Sequence, residues 1–160
     1  MAVGQHGLMG KQNVYEHSVG VPLMIKAAAQ HTGKKTADLC YLIDVFPTLC
    51  DMLQLPVPQS VDGISLLSSL DGKEPVRDYL YYSYMDNQRG ISDGTWKLIE
   101  YHVNGKRTTQ LFNLKNDPWE RNDLSGQKKD EKTIQRLREK MAEEQKRTND
   151  TSVFWNNFSY

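Results

Sequence analysis

The spacing of apolar positions changes twice along the chain, and each change marks a different kind of element. Residues 1–20 mix glycines with polar residues and predict a loop. Val21-Pro22-Leu23-Met24-Ile25 is a short apolar run that predicts a buried strand, with its proline tolerated near the start. Residues 30–37, through Gly33-Lys34-Lys35, predict a connection. The period then becomes helical: Ile43, Phe46, Leu49, Met52 and Leu53 share one face. Asp44 is a suitable N-cap, Pro47 falls in the first turn, where a missing N–H costs nothing, and Pro56 and Pro58 end the helix. Residues 60–70 predict a loop and a short helical turn, closed by Asp71-Gly72.

From Asp78 the pattern alternates and turns aromatic. Residues 78–84, 89–92, 95–101 and 108–114 predict four strands, joined in part by the strong hairpin signals Asp93-Gly94 and Asn104-Gly105. Sequential hairpins imply an antiparallel meander. Residues 132–148 predict a charged amphipathic helix whose buried stripe is Ile134, Leu137 and Met141, packed on one face of that sheet. The expected fold class is therefore α+β: a C-terminal four-stranded antiparallel sheet with a packed helix, preceded by a loop, a strand and a helix.

Composition narrows the function classes. Twenty basic and twenty acidic residues cancel, so bulk charge points neither to nucleic acid nor to a membrane surface. No apolar run approaches bilayer length. Cys40 and Cys50 lie in apolar surroundings and predict free buried thiols, with no zinc-ligand spacing nearby.

The segment with chemical promise is Gly4-Gln5-His6-Gly7-Leu8-Met9-Gly10-Lys11. Glycines let backbone approach a ligand closely, and a lysine among them is a compact cation suited to a tetrahedral oxyanion. It is not a phosphate-binding P-loop, because Gln12 follows Lys11 where Ser or Thr is needed. On the residues alone, a solvated surface lysine is the plainer reading.

Five segments in order change that picture. They are the stretch from Gly4 through Lys11, Tyr15-Glu16 and Val21-Pro22-Leu23; Asp44-Val45-Phe46-Pro47-Thr48-Leu49; Asp62-Gly63-Ile64-Ser65-Leu66; Arg89-Gly90-Ile91 through Lys97-Leu98-Ile99; and Leu111-Phe112-Asn113-Leu114 through Asp117-Pro118-Trp119-Glu120. The set resembles the C-terminal part of type I, formylglycine-dependent sulfatases of the alkaline-phosphatase superfamily. The resemblance implies hydrolysis of sulfate esters, with 1–72 as the end of the large α/β catalytic domain and 73–160 as an antiparallel-sheet subdomain. It implies that Lys11 contacts the sulfate oxygens, as the catalytic residue in this chain, and that His6, Arg89 and His102 are candidate substrate contacts. Tyr15 and Glu16 would brace the loop.

The chain also departs from that pattern. It holds no Cys/Ser-x-Pro/Ala-x-Arg sequence, the source of the formylglycine, and Gly20 stands where the family commonly has Arg. No metal ligand is assigned here. The chain is expected to begin just past the last of them, so that formylglycine and calcium, or another divalent cation, belong to an upstream catalytic domain of the same protein and this part alone is inactive. The expected partners are that domain and a sulfate ester, such as a sulfated sugar. The alternatives are part of a related phosphodiesterase or phosphonate hydrolase, or a non-catalytic glycan-binding or assembly module. The family suggests an exported protein.

Overall fold

A computed structural model describes residues 1–26, 33 and 35–157. Residues 30–32 and 34 of the expected 30–37 connection lie outside the described residues. The chain forms two compact units: Met1–Pro22 with Tyr81–Tyr160, and Leu23–Leu80. Compactness therefore groups residues 1–22 with the C-terminal sheet.

In the first unit, β1 (Ala2–Val3) and β2 (Met9–Gly10) form a small antiparallel pair around a 3-10 turn at Gln5–Gly7, followed by the single-turn helix α1 (Glu16–Val19). The stretch expected to be a plain loop is thus ordered by local backbone pairing. Four further strands, β3 (Leu80–Tyr84), β4 (Gln88–Ser92), β5 (Trp96–Val103) and β6 (Lys106–Asn113), lie in sequential order as one sheet. Both expected hairpin turns form. Asn104 and Gly105 take φ of 52° and 75°, the two positive values that a type I′ turn demands. Asp93 Oδ1 accepts the N–H groups of Thr95 and Trp96 at 2.9 and 2.7 Å, fixing the other turn.

Alternation along the strands gives the sheet two different faces. One carries Ile91, Leu98 and Leu111, all fully buried, in the same core as Ile134, Leu137 and Met141 of a long helix packed on β4 and β5. That helix, α4 (Glu131–Arg147), is close to expectation. The other face carries Ile99 and Phe112, which pack with Val14 and Tyr15 from the N-terminal segment. The mixed α+β class follows.

In the second unit, a 3-10 turn at Leu42–Asp44 leads into α2 (Val45–Met52), and α3 (Leu67–Leu70) follows. Asp44 is fully buried. Its carboxylate does not cap α2. It accepts the N–H groups of Tyr41 and Ile64 at 2.7 and 2.8 Å and pairs with both terminal nitrogens of Arg77. α2 ends before the prolines: Gln54 takes φ 56°, and the Leu55 N–H donates back to Cys50 O at 2.9 Å.

One expectation changes. The run 21–25 is not a strand; among the described residues it has no sheet partner, and Val21 and Met24 are 54% and 92% exposed. Apolar composition alone cannot supply the ladder of hydrogen bonds that a strand needs. The apolar stripe of α2 is also exposed, with Ile43, Phe46 and Leu49 near half exposure. Cys50 is buried, Cys40 partly so, and both are free. No described helix is long and apolar enough to cross a membrane.

Gly63 admits no side chain. A Cβ there would stand 2.2 Å from the Ile43 carbonyl oxygen, which belongs to backbone and cannot move aside cheaply. Gly63→Ala is expected to cost about 1–3 kcal/mol of stability, measured by urea denaturation, whereas a cost near zero would show that this backbone approach is not needed.

Candidate functional site

The N-terminal segment is pinned immediately after Lys11. Lys11 follows β2 and is exposed. Asn13, Val14 and Tyr15 are all buried, and Asn13 Oδ1 accepts the Tyr15 N–H at 3.1 Å. The Tyr15 hydroxyl donates to Gln110 Oε1 on β6 at 2.6 Å. A mobile cation would lose rotamer and backbone freedom on gripping a ligand; anchoring so close to Lys11 removes part of that cost beforehand.

Beneath this segment lies a buried ion cluster. Lys97, on the same face of β5 as Ile99, is fully buried, and its Nζ lies 2.8 Å from Glu16 Oε1 and 3.1 Å from Glu120 Oε1. The Tyr82 ring adds a cation–π contact at 5.0 Å. Glu120 Oε2 accepts the Glu16 N–H at 2.6 Å. One ammonium thus ties the start of α1 to β5 and to the turn after β6. Glu120 itself sits at φ 54°. Burial pushes its carboxyl above the ordinary 4.5, and the nearby Glu16 charge acts the same way, against the pull of Lys97.

Imidazoles flank the cluster. The His6 ring stacks on Tyr15 with centroids 4.1 Å apart and planes 1° from parallel, and its Nε2 lies 3.2 Å from Trp119 O. His17 stands 5.6 Å from His6. Burial, and then the neighbouring His6, lower the His17 pKa below 6.5, so His17 is neutral at neutral pH. A cleft of about 810 Å³ opens beside them, lined in part by His6, Glu16, His17, Trp119, Glu120 and Arg121.

The four residues singled out from sequence do not converge. Lys11 and His6 share the N-terminal segment. Arg89 and His102 lie on the opposite face of the sheet, because Arg89 pairs with Glu100 in the β4–β5 register and His102 is two residues further along β5. Arg89 is 2% exposed; its guanidinium bonds Asp150 at 2.6 and 3.1 Å, donates to the Met85 and Gln88 carbonyls and lies over the Phe154 ring. It anchors the chain's C-terminal tail. Burial alone would raise the Asp150 pKa, but hydrogen bonds from Arg89 and Tyr81 hold it well below the usual carboxylate range. His102 is half-buried, and its backbone N–H donates to Asn87 O at 2.9 Å.

Lys97 and Glu120 escaped sequence reading as a site. The available signal was a lysine at an inward position of an apolar strand, which needs a buried counter-charge. Among the described residues, no group of three or more His, Cys, Asp or Glu could hold a metal ion, so the divalent cation implied by the resemblance finds no ligand set among them.

Known proteins share this architecture. The chain matches the family described as N-sulphoglucosamine sulphohydrolase, C-terminal, over residues 4–147. It is 29% identical to an N-acetylglucosamine-6-O-sulfatase of Bacteroides thetaiotaomicron over 92% of this chain and 29% of that protein. It is 26% identical to human arylsulfatase K over 71% of this chain and 24% of the relative. The solved structure of BT4656 with its substrate D-glucosamine-2-N,6-O-disulfate superposes with a TM-score of 0.61 at 28% identity, over 69% of this chain and 25% of that one. The chain therefore spans 24–29% of these relatives' length.

The ion cluster makes a pH-dependent prediction. Because the Glu120 pKa is raised on folding, its contribution is full below 4.5 and is lost as pH rises through the raised value. Lys97→Met strands both carboxylates and is expected to cost about 3–5 kcal/mol at neutral pH. The deficit should shrink as pH falls toward 4.5. Thermal unfolding of both proteins across that range is the check; a deficit independent of pH would show that the carboxylates do not depend on Lys97.

Proposed function

Because this chain belongs to the N-sulphoglucosamine sulphohydrolase C-terminal family, we propose that the protein it serves is a sulfatase, hydrolysing the sulfate ester of a sulfated sugar, and that Lys11 is this chain's contribution to the sulfate site. The observation that carries the reading is the family match across residues 4–147, which includes Lys11 and the anchored residues behind it.

The chemistry suits the residue. Breaking a sulfate ester shifts negative charge onto the leaving oxygen while the peripheral oxygens stay charged. A positioned ammonium stabilises that distribution best when it need not reorganise during the reaction. Lys11 is exposed, hence free to meet a ligand, while Asn13, Val14 and Tyr15 hold its backbone on the sheet. The nucleophile, expected to be formylglycine, and the divalent cation would come from an upstream catalytic domain. The exposed stripe Ile43, Phe46 and Leu49 is the natural seat for that domain, since contiguous apolar surface of this kind usually marks an interface. Sulfated sugars are the proposed substrates because BT4656 was solved with one as its substrate and the Bacteroides relative is named for one. Export follows the habit of the family.

Lys11→Ala in the full-length protein is expected to lower kcat/KM on an aryl sulfate by about 10²–10³-fold, with stability changed by no more than about 0.5 kcal/mol because the side chain is exposed. Parallel assays on aryl sulfate and aryl phosphate separate sulfatase from phosphohydrolase. Preference for the phosphate, or full activity of Lys11→Ala, would overturn the reading.

A further inference from the structure

A second cavity, of about 460 Å³, lies on the N-terminal-segment face of the sheet and has a composition unlike a structural void. Its floor is a row of polar side chains. Gln88, Tyr101 and Thr108 are paired neighbours across β4, β5 and β6, so the register aligns all three on one face. Gln12, the residue after Lys11, and Tyr15 line it from the N-terminal segment, and Lys106, in the first position of β6, lines it from the hairpin end.

Two features point to a ligand. Gln88 Oε1 is shielded from solvent and accepts no hydrogen bond, an arrangement that costs free energy unless a partner arrives. The Tyr101 hydroxyl, on the facing position of β5, is likewise shielded from solvent with no hydrogen-bond partner. Amide and phenol groups over an aromatic wall suit the hydroxyls and apolar face of a sugar ring, and the exposed Lys106 suits an anionic substituent.

We infer that this cavity is a subsite for the sugar next to the one that bears the scissile sulfate, with Gln88 and Tyr101 meeting its hydroxyls and Lys106 pairing with a carboxylate or second sulfate on it. The inference rests on Lys11 marking the sulfate position, since Gln12 places the cavity one residue away along the chain. Lys106 is then a specificity-determining residue for substrates longer than one sugar.

Calorimetric titration of the full-length protein tests it. The probes are one sulfated monosaccharide and three disaccharides that extend it by a neutral, a carboxylated or a sulfated sugar. Lys106→Ala should weaken binding of the charged disaccharides by about tenfold, the scale of one charge-assisted hydrogen bond. It should leave the monosaccharide and the neutral disaccharide unchanged, and the carboxylated and sulfated arms identify the preferred anion. Gln88→Leu should weaken all three disaccharides and spare the monosaccharide. Equal effects on every ligand, no effect on any, or disaccharides binding no tighter than the monosaccharide would overturn the subsite. Lys11→Ala with unchanged monosaccharide affinity, beside a selective Lys106→Ala, would overturn the sulfate role of Lys11 and leave the subsite standing. Failure of every sulfated sugar to bind would overturn both.

Discussion

The ammonium of Lys97 has no contact with solvent, and two carboxylates from distant parts of the chain close over it. A buried charge left alone would be worth several kcal/mol of destabilisation. Glu16 and Glu120 must therefore come to it, and each brings a segment along: Glu16 the start of α1, Glu120 the turn after β6. The second bond between them, from the Glu16 N–H to Glu120, makes the arrangement a closed loop of contacts rather than a pair. The placement of His6 follows in turn, since its ring lies flat on Tyr15 and its Nε2 meets the Trp119 carbonyl, one residue from Glu120.

The sheet then divides the labour. The face under α4 is a structural face. Glu100 is fully buried and engaged by Arg138 at 2.8 Å and Thr109 at 2.7 Å, while Arg89 holds the tail through Asp150. These are satisfied ion pairs and hydrogen bonds. The opposite face carries the segment with Lys11, both imidazoles, the larger cleft and the polar cavity. Polar groups on that face are only partly engaged, and Gln88 Oε1 is not engaged at all.

The second unit shows the same contrast between satisfied and unsatisfied surface. Asp44 is paired and hydrogen-bonded on every side, so the turn it organises is rigid by itself. The apolar stripe of α2 a few residues on faces solvent. An apolar helix face left open to solvent among the described residues is the kind of surface that marks an interface.

Period, turn chemistry and composition were enough, from the sequence alone, to define the sheet, its hairpins at Asp93-Gly94 and Asn104-Gly105, the long helix and its buried stripe, because these depend on neighbours a few residues apart. The ordered segments also sufficed to mark the family. Which face each side chain would occupy in the assembled sheet was decided only by tertiary structure. Arg89 and His102 were drawn to the opposite side from His6 by the strand register, Lys97 became a buried hub through carboxylates 81 and 23 positions away (97 − 16 and 120 − 97), and the 21–25 run failed as a strand for want of a ladder. Each of these turns on contacts between residues remote in sequence, and a local pattern carries no information about which of many possible partners a buried charge or an unpaired strand will meet.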